Sequence, residues 1–216
     1  FLELAKSCID VVTERFVVGS LSNKTMDGRA MEDAVALVEK LEAEANAEPS
    51  FGGPTLSPYY LRGIIITCSS LVHAARFLDM LTLTMVEEEE QMEEVAHNVR
   101  ESVVEVHKAL RETFDDCINM MRHIETPLND FTAVWRTDDL AHSKGRFLER
   151  VYASLRRTYD NTNKSVVNSR AVVRYIASCF AVSHVMDKVE ALYHEVFEFS
   201  AHARINGRLI LKHVTL

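Results

Sequence analysis

Residues that break helices are scarce in this sequence. Its 216 residues include only 7 glycines and 4 prolines, and these are the two residue types that most often interrupt regular secondary structure. Hydrophobic residues make up 47% and charged residues 26% of the chain, which is close to the composition of average globular domains. We therefore predict an all-α fold, an antiparallel bundle of about five to seven helices, some of them long, with short loops.

Paired cysteines are also lacking. The four cysteines stand singly among apolar neighbours, without a Cys-x-x-Cys motif: Cys8, Cys68, Cys117 and Cys179. This pattern favours buried, reduced thiols and a reducing compartment. In such a compartment, the Asn-x-Ser/Thr motifs at Asn23 and Asn163 are expected to be chance matches and not glycosylation sites.

An uncharged run long enough to span a membrane is missing. The most apolar run, from residue 61 to residue 86, contains Arg62, His73, Arg76 and Asp79, and each of these side chains is costly in hydrocarbon. We therefore expect a soluble chain. Because the sequence starts at Phe1 inside an amphipathic pattern and without a capping residue, we expect one helical domain, residues 1–216, cut from a longer protein.

The motifs of known catalytic and metal centres are absent. A di-iron site in a helical bundle needs two Glu-x-x-His motifs, and only Glu94 to His97 fits. The four-residue spacings Glu93/His97 and Glu190/His194 are common by chance in acid-rich helices. Without a Gly-x-Ser-x-Gly elbow or a phosphate-binding loop as well, we predict that the chain is not an enzyme and carries no cofactor and no metal.

Charge is distributed unevenly along the chain. Residues 1–135 hold 11 Lys and Arg against 24 Asp and Glu, whereas residues 136–216 hold 13 against 8. The net charge of −8 argues against nucleic acid as a partner, because phosphate binding needs a strongly basic surface. The basic residues that are candidates for contact with an anionic leaflet or an acidic partner are Lys144, Arg146, Arg150, Arg156, Arg157, Lys164, Arg170 and Arg174. The alternative for this cluster is a solvated helix face with intramolecular ion pairs.

Turn-forming residues divide the first half of the chain into helices. The first helix is predicted to end at about Val18, and Asp27 is a candidate cap for a second helix that stops before Pro49. The apolar stripe predicted for the second helix contains Met31, Ala34, Val38, Leu41 and Ala45. A third helix begins at Ser57-Pro58, with the serine as cap and the proline at the first helical position. The glutamates between residues 87 and 94 favour a helix break near residues 84–90.

The second half of the chain is predicted to start with a long helix that is interrupted by Pro127. A polar stretch from Arg136 to Gly145 is predicted to be a loop, and Phe147 and the apolar residues after it mark a further helix. The last helix is expected over residues 167–203, with Asn206-Gly207 as its end and a tail that docks as a short strand.

Two apolar helices are predicted to form the core by packing on each other, because a bundle gains most from burying its most apolar faces. One is the third helix, with Ile64, Ile65, Cys68, Leu71, Ala75 and Leu78. The other is the last helix, with Val172, Ile176, Cys179, Phe180, Ser183, Met186, Val189, Tyr193 and Val196. His184 lies on this helix one turn after Cys179 and is expected to be a packed core histidine.

Two segments resemble a known family. One runs from Val35 to Met80 and contains the letters KLEAEANAEPSF, a proline turn and a tyrosine before a long apolar helix. The other runs from Ser169 to Ser200 and places Asp187 and Glu190 before an aromatic-rich end. Both are similar to the cytosolic helical region of eukaryotic aromatic-acid-exporter-like membrane proteins, the fusaric-acid-resistance group related to aluminium-activated malate transporters.

This resemblance implies a soluble regulatory or assembly domain of a membrane transporter for organic anions, located at the cytosolic face of a membrane. Its partners would be the membrane-embedded part of the same protein or other subunits, and it could form a homo-oligomer. Two alternatives stay open. One is a helical scaffold or subunit of a soluble assembly. The other is a domain like the phosphate-uptake regulators, which resemble the chain in the Leu61-Arg62 helix start and in one Glu-x-x-x-Asp motif from Glu112 to Asp116.

Overall fold

The computed structural model describes residues 1–18, 26–47, 58–85, 89–124, 137–161 and 169–214. Six helices make up this part of the chain: α1 (Leu2–Val18), α2 (Gly28–Ala47), α3 (Pro58–Met85), α4 (Glu89–Arg122), α5 (Thr137–Asn161) and α6 (Ser169–Val214). The described residues are 96% helical and contain no strand. The predicted all-α bundle is therefore confirmed.

Several predicted helix limits are confirmed. Asp27 caps α2, because its carboxylate accepts a hydrogen bond of 2.9 Å from the backbone N–H of Ala30, the third residue of that helix. Helix α3 starts at Pro58, and the expected break near residues 84–90 separates α3 from α4. Ser57, Asn23, Asn163 and Pro127 lie outside the described residues.

Three predictions about the second half of the chain are wrong. The stretch from Arg136 to Gly145 is helical from Thr137 onward, because Leu140, Ser143 and Phe147 are buried at helical spacing and hold this segment on the bundle. Helix α6 continues through Asn206-Gly207 to Val214, so the residues predicted to form a docked strand are helical up to that point. A glycine inside a helix costs only about 1 kcal/mol, which a long helix can absorb.

The helices alternate in direction along the chain. Helices α1 and α4 are antiparallel, because Lys6 pairs with Asp115 and Asp10 lies beside His107. Helix α5 runs antiparallel to α4 and α6, with Arg150 bound to Glu101 and Lys144 bound to Asp187. The start of α3 meets the second half of α6, since a Cβ atom added at Gly63 would lie 2.8 Å from Cδ of Glu195.

Four helices surround the core and two cover its sides. Helix α3 packs most extensively on α6, α6 also packs on α4, and α1 packs on α4 and α3. These four helices form a square in cross-section. Helix α5 packs outside α4 and α6, whereas α2 packs outside α3 with fewer contacts to α1. The predicted contact between the third and last helices is thus confirmed, and it is the largest in the described bundle.

Core residues recur at three- and four-residue spacing on α4, where Val95, Val99, Val103, Val106, Leu110, Phe114 and Cys117 are buried. Polar groups buried among them are satisfied locally. Ser102 donates a hydrogen bond of 2.7 Å to the carbonyl of Val99, and Thr113 donates one of 2.8 Å to the carbonyl of Ala109. Such hydroxyls let neighbouring helices approach closely without leaving a buried donor unpaired.

Candidate functional surfaces and cavity

Three of the eight residues of the predicted basic cluster fasten α5 to the bundle. Arg146 lies 3.7 Å from Glu105, and Arg150 donates a hydrogen bond of 2.7 Å to Glu101 on α4. Lys144 pairs with Asp187 on α6. These three basic residues therefore already have carboxylate partners within the chain.

The other described members of the basic cluster lie where α5 ends and α6 begins. Arg156, Arg157 and Arg170 are exposed, and Arg174 is half-buried. The antiparallel packing of α5 on α6 brings these residues to one end of the bundle. Helix α4 begins at the same end of the bundle. Lys164 lies outside the described residues.

The outer side of α1 and α4 is crossed by ion pairs. Lys6 pairs with Asp115, and Glu3 pairs with Arg122. Asp10 contacts two groups on α4, with 2.8 Å to Nε2 of His107 and 3.5 Å to Nε of Arg111. Together these contacts form the α1–α4 face, which carries ion pairs along the first half of α1.

The outer side of α3 and α6 has a different chemistry. Five large apolar side chains there are between 47% and 64% exposed: Ile66, Phe77 and Met80 on α3, and Val173 and Phe180 on α6. They lie on the sides of α3 and α6 that neither α2 nor α5 covers, and we call this surface the α3–α6 face. Exposed basic or imidazole groups accompany the apolar residues, namely Arg62, His73, Arg170 and His184.

This face corrects two predictions for the last helix. Phe180 is 51% exposed and is not a core residue, whereas Tyr193 is buried as predicted. His184 is exposed and is not a packed core histidine. The physical reason is that α6 is apolar on most of its sides, so the helical spacing by itself does not decide which apolar stripe points outward. The stripe predicted for α2 needs a similar correction, because Leu41 is exposed and Val35 is buried instead.

A cavity of about 360 Å³ opens at the end of the bundle where α1 and α3 begin. Five helices line it, with Leu2 from α1, Val35 and Val38 from α2, Ile65 from α3, Ile118 from α4 and Val196 from α6. The charged residues in its wall are Glu3 and Arg122, which form the ion pair between α1 and α4. No local pattern in the sequence indicates this cavity, because its wall is assembled from residues distant along the chain.

The described thiols are buried and free, as predicted. Burial raises the pKa of Cys68 and of Cys179 to about 12, because a thiolate would lose its hydration. It also raises the pKa of Cys8 and Cys117. The neutral thiol is a poor nucleophile and a poor metal ligand, so these cysteines contribute packing.

Metal-ligating residues are scattered over the described helices. In that part of the chain, no three His, Cys, Asp or Glu side chains lie close enough together to hold a metal ion. His97 and His194, from the four-residue spacings noted above, are both exposed. The side chains of Glu93 and Glu94 lie outside the described part.

One described helix segment, Leu61–Leu83, is long and apolar enough to cross a membrane when judged by length and composition alone. In the bundle, 44% of its most apolar window is buried, and core helices of soluble proteins meet the same criterion. Arg76 pairs with Glu32 on α2, and Asp79 pairs with Arg15 on α1. The expectation that no stretch has the length and apolarity of a span is therefore corrected for this segment.

Comparison of the chain with protein-family models, curated proteins and solved structures finds no match. The features available for an inference about function are thus the two contrasting faces, the arginines at the end of α5 and the cavity. The exposed apolar row is the feature that most departs from an ordinary solvated surface.

Proposed function

We propose that the chain is a helical assembly domain, and that it self-associates by placing helix α2 of one copy on the α3–α6 face of another copy. The single observation that carries this proposal is the row of Ile66, Phe77, Met80, Val173 and Phe180 on that face, each about half exposed. Large apolar side chains that share one surface are typical of protein interfaces.

The exposed apolar side chains of this face favour association. Complete burial of one large apolar side chain contributes roughly 1.5–3 kcal/mol, so covering a half-exposed one contributes roughly 1 kcal/mol. Phe77 and Phe180 add aromatic surface, which is enriched in interface cores. A partner that covers all five side chains would therefore recover a substantial part of the cost of association.

Helix α2 has the matching chemistry on its own outer side. Leu37 and Leu41 are more than half exposed and lie one helical turn apart. Asp33, Lys40 and Glu44 are exposed beside them, three or four residues away along the helix, and the helix as a whole carries Arg29 and Lys40 against five acidic residues. An acidic helix with an apolar stripe complements the apolar row and its accompanying Arg62 and Arg170.

The length of helix α2 also matches the length of the α3–α6 face. At 1.5 Å per residue, the stretch of α3 from Arg62 to Met80 is about 27 Å long, and α2 is about 30 Å long. Two α3–α6 faces packed on each other would instead bring like-charged arginines together, which lowers affinity. The contact that we propose joins two different surfaces, so it leads to rings or open chains.

The setting of this assembly domain is a separate proposal, supported by the resemblance of residues 35–80 and 169–200 to exporter-like proteins. In that setting, the domain regulates or assembles a transporter for organic anions at the cytosolic face of a membrane. The alternative is a scaffold of a soluble assembly, and a phosphate-uptake-regulator-like domain is the second alternative. Fractionation distinguishes the first two, because recovery of the natural full-length protein in the soluble fraction would exclude the transporter setting.

Self-association is tested by analytical ultracentrifugation over a range of protein concentrations. The unaltered chain should associate as concentration rises, whereas Phe180→Asp and Leu37→Asp should each remain monomeric. Val104→Asp is the matched control, since Val104 is half-exposed on α4, away from both surfaces. It should associate like the unaltered chain.

Mixing the two monomeric variants gives the sharpest result. The Leu37→Asp chain keeps an intact α3–α6 face and the Phe180→Asp chain keeps an intact α2, so the mixture should form one-to-one dimers and nothing larger. An unaltered chain that stays monomeric, or a mixture that stays monomeric, would contradict the proposal. Circular dichroism of each variant confirms that it is folded.

A further inference from the structure

We infer that the cavity between α1, α2, α3, α4 and α6 is a binding site for an uncharged, apolar small molecule of about two fused rings. This inference is independent of self-association, because it concerns a partly open cavity formed by the helices of one copy of the chain.

The volume of the cavity fits such a ligand. An apolar cavity of about 150 Å³ is large enough to bind benzene, and the volume here is about 360 Å³. Pockets for small molecules span roughly 300–1,000 Å³, so this cavity lies at the small end of that range. It is too small for a helix of another protein, whose diameter with side chains is about 10 Å.

The wall of the cavity determines the class of ligand. Aliphatic side chains from all five helices form most of it, including Val35, Ile65, Ile118 and Val196. A charged ligand would lose its hydration against this mostly aliphatic wall. Cys68 adds a protonated thiol, because burial raises its pKa to about 12, and a neutral thiol packs like a small apolar group.

The two charged residues of the wall compensate each other. Arg122 donates a hydrogen bond to Glu3, and both side chains are about two-thirds exposed. This pair therefore lies at the solvent side of the cavity, where it joins α1 to α4. A ligand that carries a carboxylate would have to compete with Glu3 for the Arg122 guanidinium, whereas an uncharged ligand leaves the pair intact.

Binding is tested with indole, an uncharged two-ring probe, and with indole-2-carboxylate, its charged counterpart. Isothermal titration calorimetry should show one indole per chain and at least tenfold weaker binding of the carboxylate. In two-dimensional NMR spectra, the shifts caused by indole should concentrate at Val35, Ile65, Ile118 and Val196.

Filling the cavity provides the matched variants. Val38→Phe places a ring in the cavity from its half-buried edge, and it should weaken indole binding at least tenfold. Val104→Phe makes the same substitution at an exposed site on α4 and should leave binding unchanged. Ile118→Phe fills the cavity from the opposite helix and serves if Val38→Phe does not fold.

Three results would overturn the inference. They are no saturable indole binding, equal binding by the cavity-filled and unaltered chains, and tighter binding of the carboxylate than of indole. The monomeric Phe180→Asp chain should bind indole with unchanged affinity, so loss of self-association and loss of ligand binding can be told apart.

Discussion

The α1–α4 face and the α3–α6 face lie on opposite sides of the same bundle, and they expose different kinds of side chain to solvent. On the α1–α4 face, Lys6, Asp10 and Glu3 form ion pairs with charged groups of α4, and Val104 of α4 is a half-exposed apolar side chain beside them. On the α3–α6 face, Phe77, Met80 and Phe180 are about half exposed. The difference shows that two pairs of helices can contribute to one core and still present surfaces of different chemistry.

The physical basis of this difference is how each helix distributes its apolar residues. Helix α4 buries most of its described apolar residues in one stripe, with Val104 as an exposed exception, so its remaining sides are mostly polar and can form ion pairs with α1. Helix α6 is apolar on most sides because it packs against α3, α4 and α5. An apolar residue of α6 that lies outside these contacts, such as Phe180, remains at the surface.

The largest expected loss of stability distinguishes a core residue of α6 from a residue of its exposed stripe. Tyr193→Ala should lower the free energy of unfolding by about 3–5 kcal/mol, because it removes a fully buried aromatic ring from the core. Phe180→Ala should lower it by less than about 1 kcal/mol, because that ring is half exposed. Urea denaturation of both variants measures the difference. Equal losses would mean that Phe180 is a core residue.

A smaller loss of stability is expected to distinguish a buried ion pair from an exposed one. The side chain of Arg15 is only 3% exposed where it meets Asp79, so Asp79→Ala should destabilise the protein by about 3 kcal/mol by removing a carboxylate from a buried guanidinium. Asp115→Ala removes the more exposed partner of Lys6 on the α1–α4 face and should cost about 0.5 kcal/mol or less.

Thermal and urea unfolding measure both of these variants. Raising the salt concentration should reduce the small effect of Asp115→Ala further, because salt screens exposed charges, and should leave the effect of Asp79→Ala nearly unchanged. A large and salt-insensitive loss for Asp115→Ala would show that the α1–α4 face contributes more to stability than its exposure indicates.

A small stabilisation is expected at a surface position without tertiary contacts. A Cβ atom at Gly145 would have no neighbour within 4 Å, so Gly145→Ala should stabilise α5 by about 0.5–1 kcal/mol through helix propensity alone. The change in stability of this variant shows how large the effect of helix propensity alone is, for comparison with the variants on the two faces. A decrease in the melting temperature would instead support the loop that the sequence predicts for residues 136–145.

Much of the fold was predictable because its signals are local. The Asp27 cap, the start at Pro58 and the break between α3 and α4 follow from residues within one helical turn of the boundary. The segment from Thr137 to Gly145 was mispredicted for the same reason. Its local composition is polar, and only the burial of Leu140 and Ser143 against the bundle makes it helical.

The candidate surfaces were less predictable. The basic cluster was visible in the sequence, but three of its arginine and lysine side chains turned out to be paired with acids of α4 and α6. The local sequence does not show which acidic residues, so distant along the chain, will pair with these basic side chains. The cavity could not be predicted for a similar reason, since its wall consists mostly of ordinary apolar residues that come from five different helices.

The sequence by itself determined the all-α class, the approximate number of helices and the apolar character of α3 and α6, because helix propensity, capping and periodicity act between neighbouring residues. The tertiary structure decided which side of α6 is buried, which charges neutralise each other and where the helices leave space between them. Those outcomes depend on how six helices pack around one core, and packing is set by contacts between residues that are far apart in the chain.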